Sequence, residues 1–331
     1  MTSLASLLRT WRHSFAQTTP AAAATAMPLL SAEEIVALIE QADALRHSRA
    51  HGREVFLRHP GDARSAHLGR GLDFEEVRAY QAGDDIRAMD WRTTARTGKP
   101  YLKIYREEHH PALHVVVDRG ASMRFATTRQ LKATQAARVA ILAAVLESSA
   151  HACVGGTMIH TGLDTPALTL PCLSKQAGIL QLAHAAAAPC PPRAIERDGE
   201  HDQWPAALRR LAATLPNGSR LLLASDFHWL TAADVPLLAH LALRHDVAAV
   251  HITDPAEHQL PTLGRASFYD LTHHTVRWID TGSRDVRARF AQAAARRQQT
   301  IASQLAQADI THFSLSTDAD PMHLFLDILH A

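Results

Sequence analysis

The stretch Leu113-His114-Val115-Val116-Val117-Asp118-Arg119-Gly120-Ala121-Ser122-Met123 decides the fold. A short apolar run ends in a carboxylate and gives way to small residues, the pattern of a strand buried on both faces that turns into a loop. Three further segments repeat it: RLLLASD ending at Asp226, DVAAVHITD ending at Asp254 and THFSLSTD ending at Asp318. Between the first two lies a helical pattern from about Thr128 to Ser149, with Leu131, Ile141, Leu142 and Val145 on one face. Buried strands alternating with helices predict an α/β domain over residues 111–331, with a mostly parallel sheet covered on both faces. Ligands of such sheets bind outside the strand carboxyl ends, so Asp118 and Asp226 are the leading site candidates. For Asp254 and Asp318 a plain role as helix N-caps is the expectation.

Upstream, residues 31–110 read as a helix followed by a small β-rich region. Ser31 and Glu34 have the spacing of a capping box ahead of Ile35, Leu38 and Ile39. Short apolar pieces such as EVFL and YLKIY then alternate with turn-prone clusters. Residues 1–30 form a tail in which Leu4, Leu7, Leu8, Trp11 and Phe15 fall at helical spacing before an alanine-rich linker. It reads either as an amphipathic helix making peripheral contact with a membrane or partner, or as a frayed start.

Composition narrows the function. Lys+Arg 34 against Asp+Glu 33 leaves a formal charge of +1, which disfavours nucleic-acid binding. No stretch approaches the roughly 18 apolar residues of a spanning helix. Three cysteines, Cys153, Cys172 and Cys190, make no closed disulfide framework and show no CxxC spacing, so a reducing cytoplasm is the expected location. The sequence lacks a GxxxxGK[ST] loop, GxGxxG, HExxH and GxSxG, and no enzyme is expected.

The segment from Gly69 to Glu108 carries the most specific signal. Asp73, Phe74, Arg78, Tyr80, Gly83, Asp84, Asp85, Arg87, Asp90, Trp91, Ala95 and Arg96 stand in one dense phrase. With HVVVDRGASM downstream, it resembles the bacterial domain of unknown function 58 family. The resemblance implies a von Willebrand A-like, Rossmann-type sheet behind an N-terminal β-rich region. It also implies a non-enzymatic adaptor acting with a MoxR-type AAA+ ATPase on client proteins.

Between Gly69 and Arg96, five arginines and six acidic residues suit an ion-pair scaffold or a docking surface. Arg78, Asp84, Asp85, Arg87, Asp90, Trp91 and Arg96 are the candidate partner-binding residues, with Asp90 and Arg96 expected to be buried around Trp91. Asp84 and Asp85 lie in the turn QAGDD.

An A-domain raises the question of a metal-ion-dependent adhesion site, in which hydroxyl and carboxylate oxygens hold Mg²⁺. Asp118, Ser122 and Asp226 match part of that set. Gly120 stands where a ligand serine is expected, Arg119 adds a cation, and no matching threonine is found. The expectation is a degenerate site with weak Mg²⁺ binding at most and no cofactor. The alternative is a metal-dependent hydrolase built on the strand-end carboxylates.

Overall fold

The computed structural model describes residues 28–48, 73–81, 89–106, 112–147, 153–160, 167–190, 203–270 and 275–330. The N-terminal tail up to residue 27, and with it the amphipathic reading, lies outside the described residues, as do Asp84, Asp85 and Arg87. Two compact units emerge, residues 58–110 and the remainder of the chain.

In the smaller unit, β1 (Asp73–Ala79) pairs antiparallel with β2 (Tyr101–Arg106), and α2 (Trp91–Thr97) lies between them in the chain. Asp90 starts α2 as its N-cap. Its Oδ1 accepts from the backbone N–H of Arg92 and Thr93, and its Oδ2 from the Thr93 hydroxyl at 2.8 Å. Gly98 ends α2 with φ 69°, a left-handed conformation that glycine adopts without steric cost.

In the larger unit, six strands form one sheet in the order β10-β7-β6-β3-β4-β5. These are β3 (Leu113–Arg119), β4 (Cys153–His160), β5 (Ala167–Ser174), β6 (Arg220–Ser225), β7 (Asp246–Thr253) and β10 (Thr311–Ser316). All neighbours pair in parallel except β4 and β5. This is the mostly parallel sheet, covered by helices on both faces, that the buried strands predict. Period-two alternation splits its side chains between two cores. Val115 and Val117 face α1 (Ala32–Ser48), α3 (Lys132–Leu146), α4 (Lys175–Ala187) and α9 (Pro321–His330). Val116 faces α5 (Gln203–Thr214), α6 (Val235–Ala242) and α8 (Arg284–Gln307).

The capping box at α1 is present: the Ser31 N–H donates to Glu34 Oε2 at 2.7 Å, and the Glu34 N–H to Ser31 Oγ at 3.2 Å. Ile35, Leu38 and Ile39 join the α/β core, so this helix packs with the larger unit rather than with residues 58–110. Helix α3 begins at Lys132, later than its periodicity suggested, and is buried on nearly every side. Strands β4 and β5 have no counterpart in the apolar pattern. Gly155 and Gly156 interrupt the first, and Pro171, tolerated on an edge strand beside a bulge, interrupts the second. Cys153 and Cys172 join these two strands in a disulfide, leaving Cys190 free. The sequence reading drew no pair from the three cysteines; the pair forms because neighbouring antiparallel strands bring Cα atoms 19 positions apart in sequence within 5.4 Å. A hairpin of β8 (Arg265–Asp270) and β9 (Thr275–Asp280) precedes α8.

Candidate functional site at the strand carboxyl ends

The chain leaves β3 for β4 on one side and returns to β6 on the other, so the topological switch point lies between β3 and β6. Asp118 and Asp226 stand at the carboxyl ends of these two strands and are both buried. Asp118 accepts from the Gly120 N–H at 2.8 Å and from the Ser225 hydroxyl at 2.6 Å. Ser225 Oγ in turn accepts from the Phe227 N–H and from Trp229 Nε1. Phe227 adopts φ 52°, and this uncommon backbone for a bulky residue holds the turn in which the His228 N–H closes on Asp226 Oδ1 at 3.1 Å. Ser122 lies close enough to Asp226 to help keep its carboxyl ionised, so the three residues proposed from sequence lie around one place.

A fourth residue governs them. Lys132, the first residue of α3 and 0 % exposed, places Nζ 2.8 Å from Asp226 Oδ2 and 2.5 Å from Glu257 Oε1. Burial disfavours the ammonium, but Asp226 and Glu257 outweigh it and raise its pKa. Burial likewise works against an Asp226 carboxylate, yet the Lys132 charge overcomes it and holds that group ionised. Asp118 receives less help. Burial and the nearby Asp226 charge push it up to about 7.

The expectation that Arg119 supplies a cation here is corrected. Adjacent strand residues face opposite ways, and its guanidinium donates instead to the carbonyls of Ala185, Ala188 and Pro189 at the end of α4. Sequence reasoning passed over Lys132 and Glu257. In the sequence Lys132 is one of several polar residues at the start of the helical pattern, beside Arg129, Gln130 and Gln135, and nothing local singles it out.

The loops around this point are tied to each other. Asp254 caps α7 (Pro255–His258), as expected, in a capping box with Glu257. It also accepts from the Thr127 N–H at 2.8 Å, the Thr127 hydroxyl and the Thr317 hydroxyl. Gln135 Nε2 donates to the Ser316 and Ala319 carbonyls. Asp318 is exposed and is not the cap of α9; Asp320 accepts from the Met322 N–H there.

Does a divalent ion fit this donor set? Gly120 supplies no side-chain oxygen, one Asp118 oxygen takes the Ser225 hydroxyl, and an ammonium lies against Asp226. Asp226, His228 and Glu257 do bring ligand atoms within 4.8 Å of one another. Two of the three already hold Lys132. The residues do not fit a metal while that side chain is in place.

In the smaller unit, the structure departs from the expected burial. Asp90 is buried, but Trp91 is 66 % exposed and Arg96 is exposed as well. The α2 backbone that Asp90 caps turns the Trp91 ring outward, so the tryptophan gives no burial to its neighbours. Arg78 lies on β1.

The model of the family described as "Protein of unknown function DUF58" matches residues 76–300. The chain belongs to the DUF58 family. Uncharacterized proteins of Mycobacterium bovis and Mycobacterium tuberculosis are each 30 % identical to it over 260 residues, 76 % of this chain and 77 % of theirs. Among solved structures, the chain is similar to the conserved hypothetical protein BatB from Bacteroides thetaiotaomicron, at 12 % identity and TM-score 0.41, covering 66 % of this chain and 97 % of BatB. It is also similar to a von Willebrand factor type A protein from Catenulispora acidiphila, at 11 % identity and TM-score 0.33, covering 70 % and 43 % respectively. An aerotolerance-related membrane protein from Bacteroides fragilis gives TM-score 0.42 at 13 % identity, over 66 % of this chain and 97 % of that one. No helix among the described residues of the DUF58 chain is long and apolar enough to cross a membrane.

Proposed function

We propose that this DUF58 chain is a non-enzymatic interaction module that works in the cytoplasm with a MoxR-type AAA+ ATPase on client proteins. The observation that carries the reading is Trp91, 66 % exposed on a helix held at both ends by Asp90 and Gly98. A large aromatic ring on a fixed backbone, followed by Arg92 and Arg96, is the composition of an interface anchor, since tryptophan and arginine are enriched among hot spots. It sits inside the segment on which the family resemblance rests. Asp84, Asp85, Arg87 and Arg78 complete the proposed docking set. The test is affinity capture of a purified MoxR-type ATPase by this chain, with and without ATP. ATP-dependent binding weakened tenfold or more by Trp91→Ala supports the reading. Binding unaffected by Trp91→Ala and by Arg96→Ala rejects this surface, and no binding at all rejects the partner.

The convergence of Asp226, His228 and Glu257 favours a second reading, a metal-dependent hydrolase. Lys132 opposes it by neutralising two of those ligands. Hydrolysis of phosphoester or peptide substrates that depends on Mn²⁺ and is lost in Asp226→Asn would establish it.

A further inference from the structure

The disagreement between the A-domain metal site and this donor set has a specific cause, and it leads beyond the docking reading, on which it does not depend. We infer that Lys132 is the resident cation of the switch point: its ammonium takes the place of the divalent ion, and removing it opens a cation site made of Asp226, Glu257 and His228.

Position argues first. Nζ is within 2.8 Å of Asp226 and 2.5 Å of Glu257, the carboxylates that come from the end of β6 and from α7. It joins the same loops that a shared metal ion would join. Energetics argue second. A cation at a helix N-terminus is opposed by the helix dipole, and a buried ammonium is opposed by desolvation. Lys132 suffers both, and only the two carboxylates make its place favourable. Glu257 is fixed for this role, since its Oε2 accepts the Asp254 N–H at 2.9 Å while Oε1 meets the ammonium.

The ligand chemistry argues third. Two carboxylates and an imidazole are a donor set for a divalent ion such as Mn²⁺, through its preference for carboxylate oxygen, or Zn²⁺, which also takes imidazole. His228 Nε2 is 4.0 Å from Asp226 Oδ2, and the His228 side chain is 58 % exposed, which gives the site an opening to solvent. Metal–ligand distances of about 2.0–2.2 Å span most of the present separation. Small rotations of His228 and Glu257 provide the rest once Nζ is gone. Asp118 and Ser122 flank the place, Asp118 through the Ser225 hydroxyl and Ser122 through Asp226.

Mn²⁺ is the probe, with calorimetry and thermal unfolding as readouts. The unmodified protein should show no micromolar binding, and its melting temperature should be unmoved by Mn²⁺ or by EDTA. Lys132→Ala should bind one Mn²⁺ per chain and gain several degrees on its addition, because a ligand stabilises the state that binds it. Adding His228→Ala to that variant should weaken the new site about tenfold or more, and adding Glu257→Gln should abolish it. A Lys132→Ala protein that folds only with Mn²⁺ supports the inference. Micromolar Mn²⁺ binding by the unmodified chain overturns it. So does a Lys132→Ala protein that is folded but indifferent to Mn²⁺, or one that stays unfolded with it.

Discussion

Lys132 Nζ lies 2.8 Å from Asp226 Oδ2, joining the first residue of α3 to the residue that follows β6 across 94 positions of sequence. Both side chains are buried, and Glu257 adds a second carboxylate to the same ammonium. Breaking such a pair from one side leaves an unpaired buried charge. Lys132→Met should therefore cost about 3–5 kcal/mol in a denaturant titration. Lys132→Met combined with Asp226→Asn should recover a substantial part of that loss, because it removes both buried charges. Additive losses in the double variant would show that the two side chains do not act as a pair.

Asp118 sets a pH dependence. Its folded pKa, about 7, lies above its ordinary value of 3.8. The native state thus holds a proton that the unfolded chain releases, and the stability due to that proton is complete below about pH 4 and lost as pH rises towards 7. Asp118→Asn should remove this component, so the difference in stability between variant and unmodified protein should change between pH 4 and 7 and be flat above it. The slope cannot exceed that of one proton, about 1.4 kcal/mol per pH unit. A difference independent of pH would contradict the assignment.

Two histidines act in the opposite direction. His114 and His251 are both held down to about 4 by burial, with His312 adding to the effect on His251. Each remains neutral in the fold while the unfolded chain takes up a proton near pH 6.5. Their contribution is present above that pH and lost as pH falls towards 4. His114→Gln should reduce the acid sensitivity, since a glutamine amide can keep a hydrogen bond to Thr157 Oγ1, now 2.9 Å from Nε2. Urea titrations at pH 7 and 5 would read the change.

Residues around α2 should separate stability from binding. Asp90→Ala removes an N-cap and should cost about 1 kcal/mol. Trp91→Ala and Arg96→Ala, both exposed, should stay within about 0.5 kcal/mol of the unmodified protein. A Trp91→Ala loss of several kcal/mol would show that the ring is packed and would remove it as a docking anchor.

At Gly178 in α4, a Cβ would stand 2.6 Å from the Val154 carbonyl and 2.7 Å from that of Leu173, both backbone atoms. Gly178→Ala should push α4 off β4 and β5 and destabilise by about 1–3 kcal/mol, against the gain in helix propensity that alanine normally brings. Opening the Cys153–Cys172 link, which closes a loop 19 positions long in the same region, should cost about 3 kcal/mol. Melting curves with and without reductant would measure it, and mass spectrometry of alkylated thiols from intact cells would tell whether the pair is oxidised there.

Much of the framework was legible in the residues alone. Strands β3, β6 and β7 announce themselves as apolar runs ending near aspartates, because a strand buried on both faces needs no polar alternation; β10, an edge strand with one buried residue, alternates in polarity and is marked mainly by its closing aspartate. The α1 start is written in Ser31 and Glu34, since a capping box is a contact between residues three positions apart. Even the carboxylates Asp118 and Asp226 were legible, as residues closing apolar strands, because α/β sheets bind ligands outside their strand carboxyl ends; that they flank the switch point needed the strand order. What the local pattern could not contain was pairing across the sheet. Lys132 reads as one more polar residue among Arg129, Gln130 and Gln135 until β6 and α7 bring Asp226 and Glu257 to it. Arg119 reads as a neighbour of the site until the strand pleat turns it towards the end of α4. Cys153 and Cys172 become partners only through the register of β4 and β5, and Trp91 faces outward because the capped α2 backbone directs it. Periodicity reports which face of an element is buried; which charge meets which is decided by tertiary contacts tens of residues apart in sequence.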